Sequence, residues 1–191
     1  MIFYLFLILY LHFLYLFHSL QKELFFVTIL NGDIMKTKDL AKNAIVLAFY
    51  MLLIGLNPYG FYMFQLRIGE ALSVLPFFNR KFVPALILGG ALANFASPLG
   101  PIDMIVGGSC AIITYALSKF IKNVYLNSLI FSCVSGLLVT LELFKTGNLD
   151  MSMKLPFLIS FVSIAGSTLI VTSLACFIIN KTKLKELIKN N

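Results

Sequence analysis

Glu70 and Arg67 place a carboxylate and a guanidinium three residues apart in the segment Gln65-Leu66-Arg67-Ile68-Gly69-Glu70-Ala71-Leu72, inside a chain that is otherwise almost continuously apolar. A charged side chain near the centre of a bilayer costs roughly 2.5 to 3.5 kcal/mol on insertion scales, so such groups face a cavity, a partner or a ligand. On a helix the two are neighbours and can form an ion pair. The carboxylate has a second use, as a two-oxygen acceptor for a ligand that presents two adjacent N–H donors, an edge that guanine-like rings carry. Asn94 offers both a donor and an acceptor, which suits a heterocycle carbonyl or ring nitrogen. Asp103 can accept a ligand amine, or can cap a helix that begins at Met104-Ile105-Val106. These last two residues bracket Ser97-Pro98-Leu99-Gly100-Pro101, where the backbone cannot stay helical. Arg67, Glu70, Asn94 and Asp103 therefore outline a polar pocket, with Gln65 beside it. Tyr59, Phe61, Tyr62 and Phe64 flank Gln65 as an interfacial aromatic belt or as a stacking surface for a planar ligand. Glu142, with Lys145 close by, reads as an interfacial pair.

The chemistry that is missing narrows the function. No Gly-x-x-x-x-Gly-Lys-Ser/Thr loop occurs, so the chain does not hydrolyse ATP through a P-loop. There is no His-Glu-x-x-His, no Gly-x-Ser-x-Gly elbow and no carboxylate cluster with metal spacing, which leaves an enzyme without a nucleophile, a base or a metal. His12 and His18 are six apart, off one helical face, and lack a supporting carboxylate. Cys110, Cys133 and Cys176 stand alone in separate apolar blocks and read as reduced thiols. No catalytic residue, metal site or cofactor is expected.

The elements that must hold the pocket follow from composition. With 60% hydrophobic and 12% charged residues in 191, the apolar residues run in blocks, as in an integral membrane protein. Backbone polar groups in lipid must be satisfied internally, and long unalternating apolar runs exclude a barrel, so the fold class is all-α. Six apolar segments are expected, at about 40–57, 67–79, 82–97, 103–120, 124–143 and 154–180. The second to fourth are short and broken by Gly and Pro, a pattern that marks binding sites near the bilayer midplane.

The net charge of +7 follows membrane topology better than nucleic-acid binding. With six spans, Lys36, Lys38 and Lys42, then Arg80 and Lys81, then Lys119 and Lys122, then Lys181, Lys183, Lys185 and Lys189 all fall on one side. The other side has Arg67, Lys145 and Lys154. This asymmetry predicts a multi-pass cell-membrane protein, a six-helix bundle with both ends in the cytoplasm. Met35-Lys36-Thr37-Lys38 looks like a natural start, so residues 1–34 are expected to be an apolar extension outside the working domain at 35–191. Ala44 and Ala48, four apart, and Gly89 and Ala93 allow close helix packing, either within the chain or against another membrane subunit.

The Gln-x-Arg-x-x-Glu-Ala-Leu run at 65–72, Leu92-Ala93-Asn94, and Gly100-Pro101-Ile102-Asp103 with Gly107-Gly108 together resemble the queuosine precursor transporter family of QueT type. The resemblance covers roughly Lys36 to Lys181 and leaves residues 1–34 without a counterpart. Proteins of this family are substrate-binding subunits (S components) of energy-coupling factor transporters. The resemblance implies a six-helix membrane subunit that captures a 7-deazaguanine-type base from outside the cell. A shared module of one membrane coupling protein and two ATPases would then drive release inside. It also implies that small residues of the first helix, here Ala44 and Ala48, meet the coupling protein. A binding subunit for another vitamin-like heterocycle is the nearest alternative, and a membrane enzyme a more distant one.

Overall fold

The computed structural model describes residues 36–57, 68–149 and 155–189 of the chain. Among these residues it is wholly helical, with seven α-helices joined in places by 3-10 turns. They are α1 (Thr37–Gly55), α2 (Leu75–Phe78), α3 (Val83–Leu92), α4 (Pro101–Leu117), α5 (Val124–Lys145), α6 (Pro156–Lys181) and α7 (Leu184–Lys189). Residues Ile68–Val74 form a 3-10 helix that runs into α2, and Ala93–Ala96 form another that ends α3. Each of the six expected apolar segments thus folds as a helical element at nearly the expected position. Residues 1–34, the aromatic group at 59–64, Gln65, Arg67 and Lys154 lie outside the described residues.

Local chemistry explains the boundaries. Pro76 offers no N–H to the carbonyl four residues back and its ring crowds that carbonyl, so the preceding segment tightens into 3-10 geometry instead of joining one long α-helix. Between α3 and α4, Gly100 N–H donates to the Ser97 carbonyl at 3.0 Å, and Gly100 itself takes φ +55°, a backbone shape that glycine adopts without a Cβ penalty. Pro101 then starts α4, where its missing N–H is no loss. Helix α5 begins at Asn123, whose side-chain oxygen accepts from Tyr125 N at 2.9 Å and Leu126 N at 3.3 Å. It ends in a Schellman motif, with Asn148 N–H on the Leu143 carbonyl at 2.9 Å and Gly147 at φ +73°.

The segments close on one another. Helix α1 packs on α3, α3 on α4, α4 on α5, α5 on α6, α6 on the 68–74 turn, and that turn on α1, which makes a ring of six apolar segments. One end of the ring gathers the start of α1, the turn at 79–82, the end of α4 and α7. Lys81 Nζ meets Asp39 Oδ2 at 3.0 Å there, Arg80 Nη2 donates to the Tyr115 carbonyl at 3.3 Å, and Asn79 Nδ2 donates to the Ile188 carbonyl at 2.6 Å. The opposite end gathers Leu99, Leu143, Leu149 and Ile159 in one apolar cluster. The basic groups of the short connections therefore share an end.

Polarity is distributed opposite to that of a water-soluble bundle. Large apolar side chains point outward, among them Phe49, Ile105, Val162 and Ile170, the last 69% exposed. Hydroxyls and amides are inside: Thr114, Ser128, Thr140, Ser160, Thr168 and Thr172 are fully buried. A surface of this kind is stable in lipid, where small and polar residues serve helix contacts. Helices Val124–Lys145 and Pro156–Lys181 are each long and apolar enough to cross a membrane. They approach closely because Gly136 has no side chain; a Cβ there would lie 2.8 Å from the Ala165 Cβ.

Candidate functional site

Inside the ring lies a narrow polar cavity. Its walls come from α1 (Tyr50), the 68–74 turn (Glu70, Ser73), α3 and its extension (Leu86, Gly90, Asn94), α4 (Gly107, Cys110, Ala111, Tyr115) and α5 (Phe131, Ser135). Those walls stand close together, so a ring system enters only as they part. Usual small-molecule sites offer roughly 300 Å³ and upward, whereas the free space here is about that of a single water, so a compact heterocycle binds only where these walls part to admit it.

Glu70 is the acidic group of the cavity and is only 3% exposed. Its Oε2 accepts hydrogen bonds from the Tyr50 hydroxyl at 3.1 Å and from the Ser73 hydroxyl at 2.5 Å. The Ser73 carbonyl in turn accepts from the Tyr115 hydroxyl at 3.0 Å, and the Tyr115 ring meets Phe77 edge-on at 5.9 Å between centroids. Two tyrosines from different helices thus fix a 3-10 turn that carries the carboxylate. Tyr50 itself fits because Gly89 faces it: a Cβ at that glycine would lie 2.8 Å from the tyrosine ring.

Asn94 shares the cavity. Its Nδ2 donates to the Gly90 carbonyl at 2.6 Å, which leaves the Oδ1 acceptor outside that bond. The amide nitrogen sits in the crossing of α3 and α4, where Gly90 and Gly107 bring the two backbones together. A Cβ on Gly107 would collide with both the Gly90 carbonyl oxygen and Asn94 Nδ2. Glycine at this position is thus a requirement of the site as well as of the helix packing.

Of the residues expected in the pocket, Glu70 and Asn94 line the cavity, while Gln65 and Arg67 lie outside the described residues. Asp103 is buried but does not line it. The helix N-cap is Gly100, so Asp103 lies within the first turn of α4 and not before it, and the capping alternative does not hold. It stands one helical turn beyond Gly107 on the same face of α4, toward the end of the ring away from the basic groups. Glu142 is buried near the end of α5 and is not part of this cavity.

Ala44 and Ala48 separate. Ala44 is fully buried in the core with Leu47, Tyr50 and Leu86, and its small size serves packing within the chain. Ala48 is half-buried, beside the outward row of Ile45, Phe49 and Leu52. Tyr50, Ser73, Tyr115 and Ser135 are the lining polar residues that sequence reasoning missed. A faint signal existed for the first two, since a buried carboxylate requires donors.

Two comparisons with known proteins bear on this site. The QueT transporter family profile matches residues 40–183, most of the chain and all of the cavity's lining residues. A protein of Lactococcus lactis subsp. cremoris, named queuosine precursor transporter QueT, is 35% identical over 85 residues, which cover 43% of this chain and 50% of that one. The chain thus spans about half the length of the curated relative it matches. No solved structure matches. With its inverted polarity and apolar helices the protein is membrane-embedded, and it belongs to the QueT transporter family.

Proposed function

We propose that this chain is the substrate-binding membrane subunit of an energy-coupling factor importer and captures a queuosine precursor, a deazaguanine-type base. In this reading the six segments all span the bilayer, with both ends of the working domain on the cytoplasmic side. ATP hydrolysis comes from two partner ATPases through a membrane coupling protein.

The observation that carries the reading is the environment of Glu70. A carboxylate buried inside a ring of apolar helices is positioned by two hydroxyls that both donate to one of its oxygens. A carboxylate has about four lone-pair sites, so two N–H donors on one edge of a ligand ring can be recognised beside those hydroxyls, which stay in place. Asn94 Oδ1 adds a further acceptor, so the site is matched to a ring rich in N–H donors. Asp103, a turn further out, would meet an amine that projects from the ring, and Gln65 and Arg67 are the remaining proposed ligand contacts. The printed name of the Lactococcus relative points to the same class of substrate.

The test is calorimetry on the detergent-purified chain with deazaguanine. One ring is expected to bind per chain, and absence of binding to any deazaguanine would overturn the assignment. For the partner, the outward row of α1 around Ala48 is the proposed docking face. Ala48→Leu is expected to abolish uptake and co-purification with the coupling module while leaving ligand affinity of the isolated subunit within about twofold. Ala44→Leu differs, since extra bulk in a filled core costs about 1–3 kcal/mol of stability. Uptake by Ala48→Leu at the parent's rate would move the docking face elsewhere.

A further inference from the structure

Helix α5 carries three buried serines, and they do not behave alike. Ser128 donates to the Val124 carbonyl at 3.1 Å and Ser132 to the Ser128 carbonyl at 2.7 Å, the usual way a helix absorbs a hydroxyl where water is absent. Ser135 makes no such bond. Its Oγ is buried, the residue is 1% exposed, no hydrogen-bond partner meets it, and it lines the cavity that holds Glu70. An unmet hydroxyl in such a place is costly.

The other hydroxyls of the cavity are committed. Those of Tyr50 and Ser73 donate to Glu70, and that of Tyr115 donates to the Ser73 carbonyl. Asn94 Nδ2 is held in the α3–α4 crossing on the Gly90 carbonyl. Glu70 and Asn94 Oδ1 supply acceptors, so among the described lining residues a ring carbonyl of the ligand still needs a donor hydroxyl. From this we infer that Ser135 supplies it: its hydroxyl donates to the ring carbonyl of the bound base and sets specificity for an oxo-substituted ring over one that lacks the oxygen.

This inference rests on the proposed deazaguanine site, and the experiment separates the two. Calorimetry is run on the parent, Ser135→Ala and Ser132→Ala, each with deazaguanine and with its thiocarbonyl analogue, which keeps both N–H donors of the edge and puts a weakly accepting sulfur in place of the carbonyl oxygen. The parent is expected to prefer the oxo ring. Ser135→Ala should lose about tenfold in affinity for it and nothing for the analogue, so that the preference disappears. Ser132→Ala, whose hydroxyl is spent within the helix, should keep the parent's preference. Thermal unfolding of Ser135→Ala should be no lower than the parent's, because the hydroxyl removed has no partner. Equal losses for both rings, or no loss for either, would overturn the role of Ser135 and leave the deazaguanine site standing. A parent that binds neither ring would bring down the site and this role with it.

Discussion

Glu70→Gln is expected to weaken deazaguanine binding by about 10- to 100-fold, the range set by loss of a hydrogen bond to a charged group, about 1.5–3 kcal/mol. The amide keeps one oxygen, which can still accept from Tyr50 and Ser73, so the 3-10 turn stays in place. It replaces the second acceptor with an NH2 group, and that group faces the ligand's N–H edge donor to donor. Asn94→Ala removes a neutral acceptor and should cost less, about 0.5–1.5 kcal/mol. Calorimetry on the two variants, with thermal unfolding alongside, distinguishes recognition from scaffolding. If Glu70→Gln binds like the parent but melts earlier, Glu70 serves only to tie the turn to α1, and the proposed recognition fails.

The sequence alone makes Glu70 conspicuous without showing what holds it. A charge in an apolar block is legible at once, since insertion cost leaves few reasons for it to be there. Asn94 was legible for the same reason, and so was the break at 97–101, where proline and glycine forbid helix. The tyrosines were not. Tyr50 and Tyr115 sit in apolar helices where a tyrosine fits packing or an interface equally well, and only the close approach of α1, α4 and the 68–74 turn directs their hydroxyls to Glu70 and Ser73.

Serine is harder still. Ser128, Ser132 and Ser135 are one residue type on one helix, and spacing along a helix does not reveal which hydroxyl leaves the carbonyl four residues back unbonded. Helix α7 is not legible in the sequence because it is only six residues long and half of them are charged; it forms against the packed bundle, where Ile188 finds an apolar site and its carbonyl meets Asn79. In the sequence Asp103 brackets the 97–101 break together with Asn94. The register of α4, fixed by Pro101 at its start, puts it a turn beyond the lining residues.

Gly107→Ala is expected to be the most damaging glycine-to-alanine change among the described glycines. The added Cβ would meet the carbonyl oxygen of Gly90, which is main chain and moves only if α3 moves, and Asn94 Nδ2, which holds a ligand acceptor in position. Overpacking of this kind costs typically about 1–3 kcal/mol, and relief by separating α3 from α4 would displace Asn94 from the cavity. Stability and binding should therefore fall together, read as a lower melting temperature in detergent and a loss of deazaguanine affinity at least as large as that of Asn94→Ala. Gly166→Ala is the matched control. It lies within α6, a Cβ there meets nothing within 4 Å, and replacing a mid-helix glycine with alanine should stabilise by roughly 0.5–1 kcal/mol without touching binding. If Gly107→Ala melts and binds as the parent does, the two helix backbones are not in contact at this crossing, and the placement of Asn94 in the site loses its structural basis.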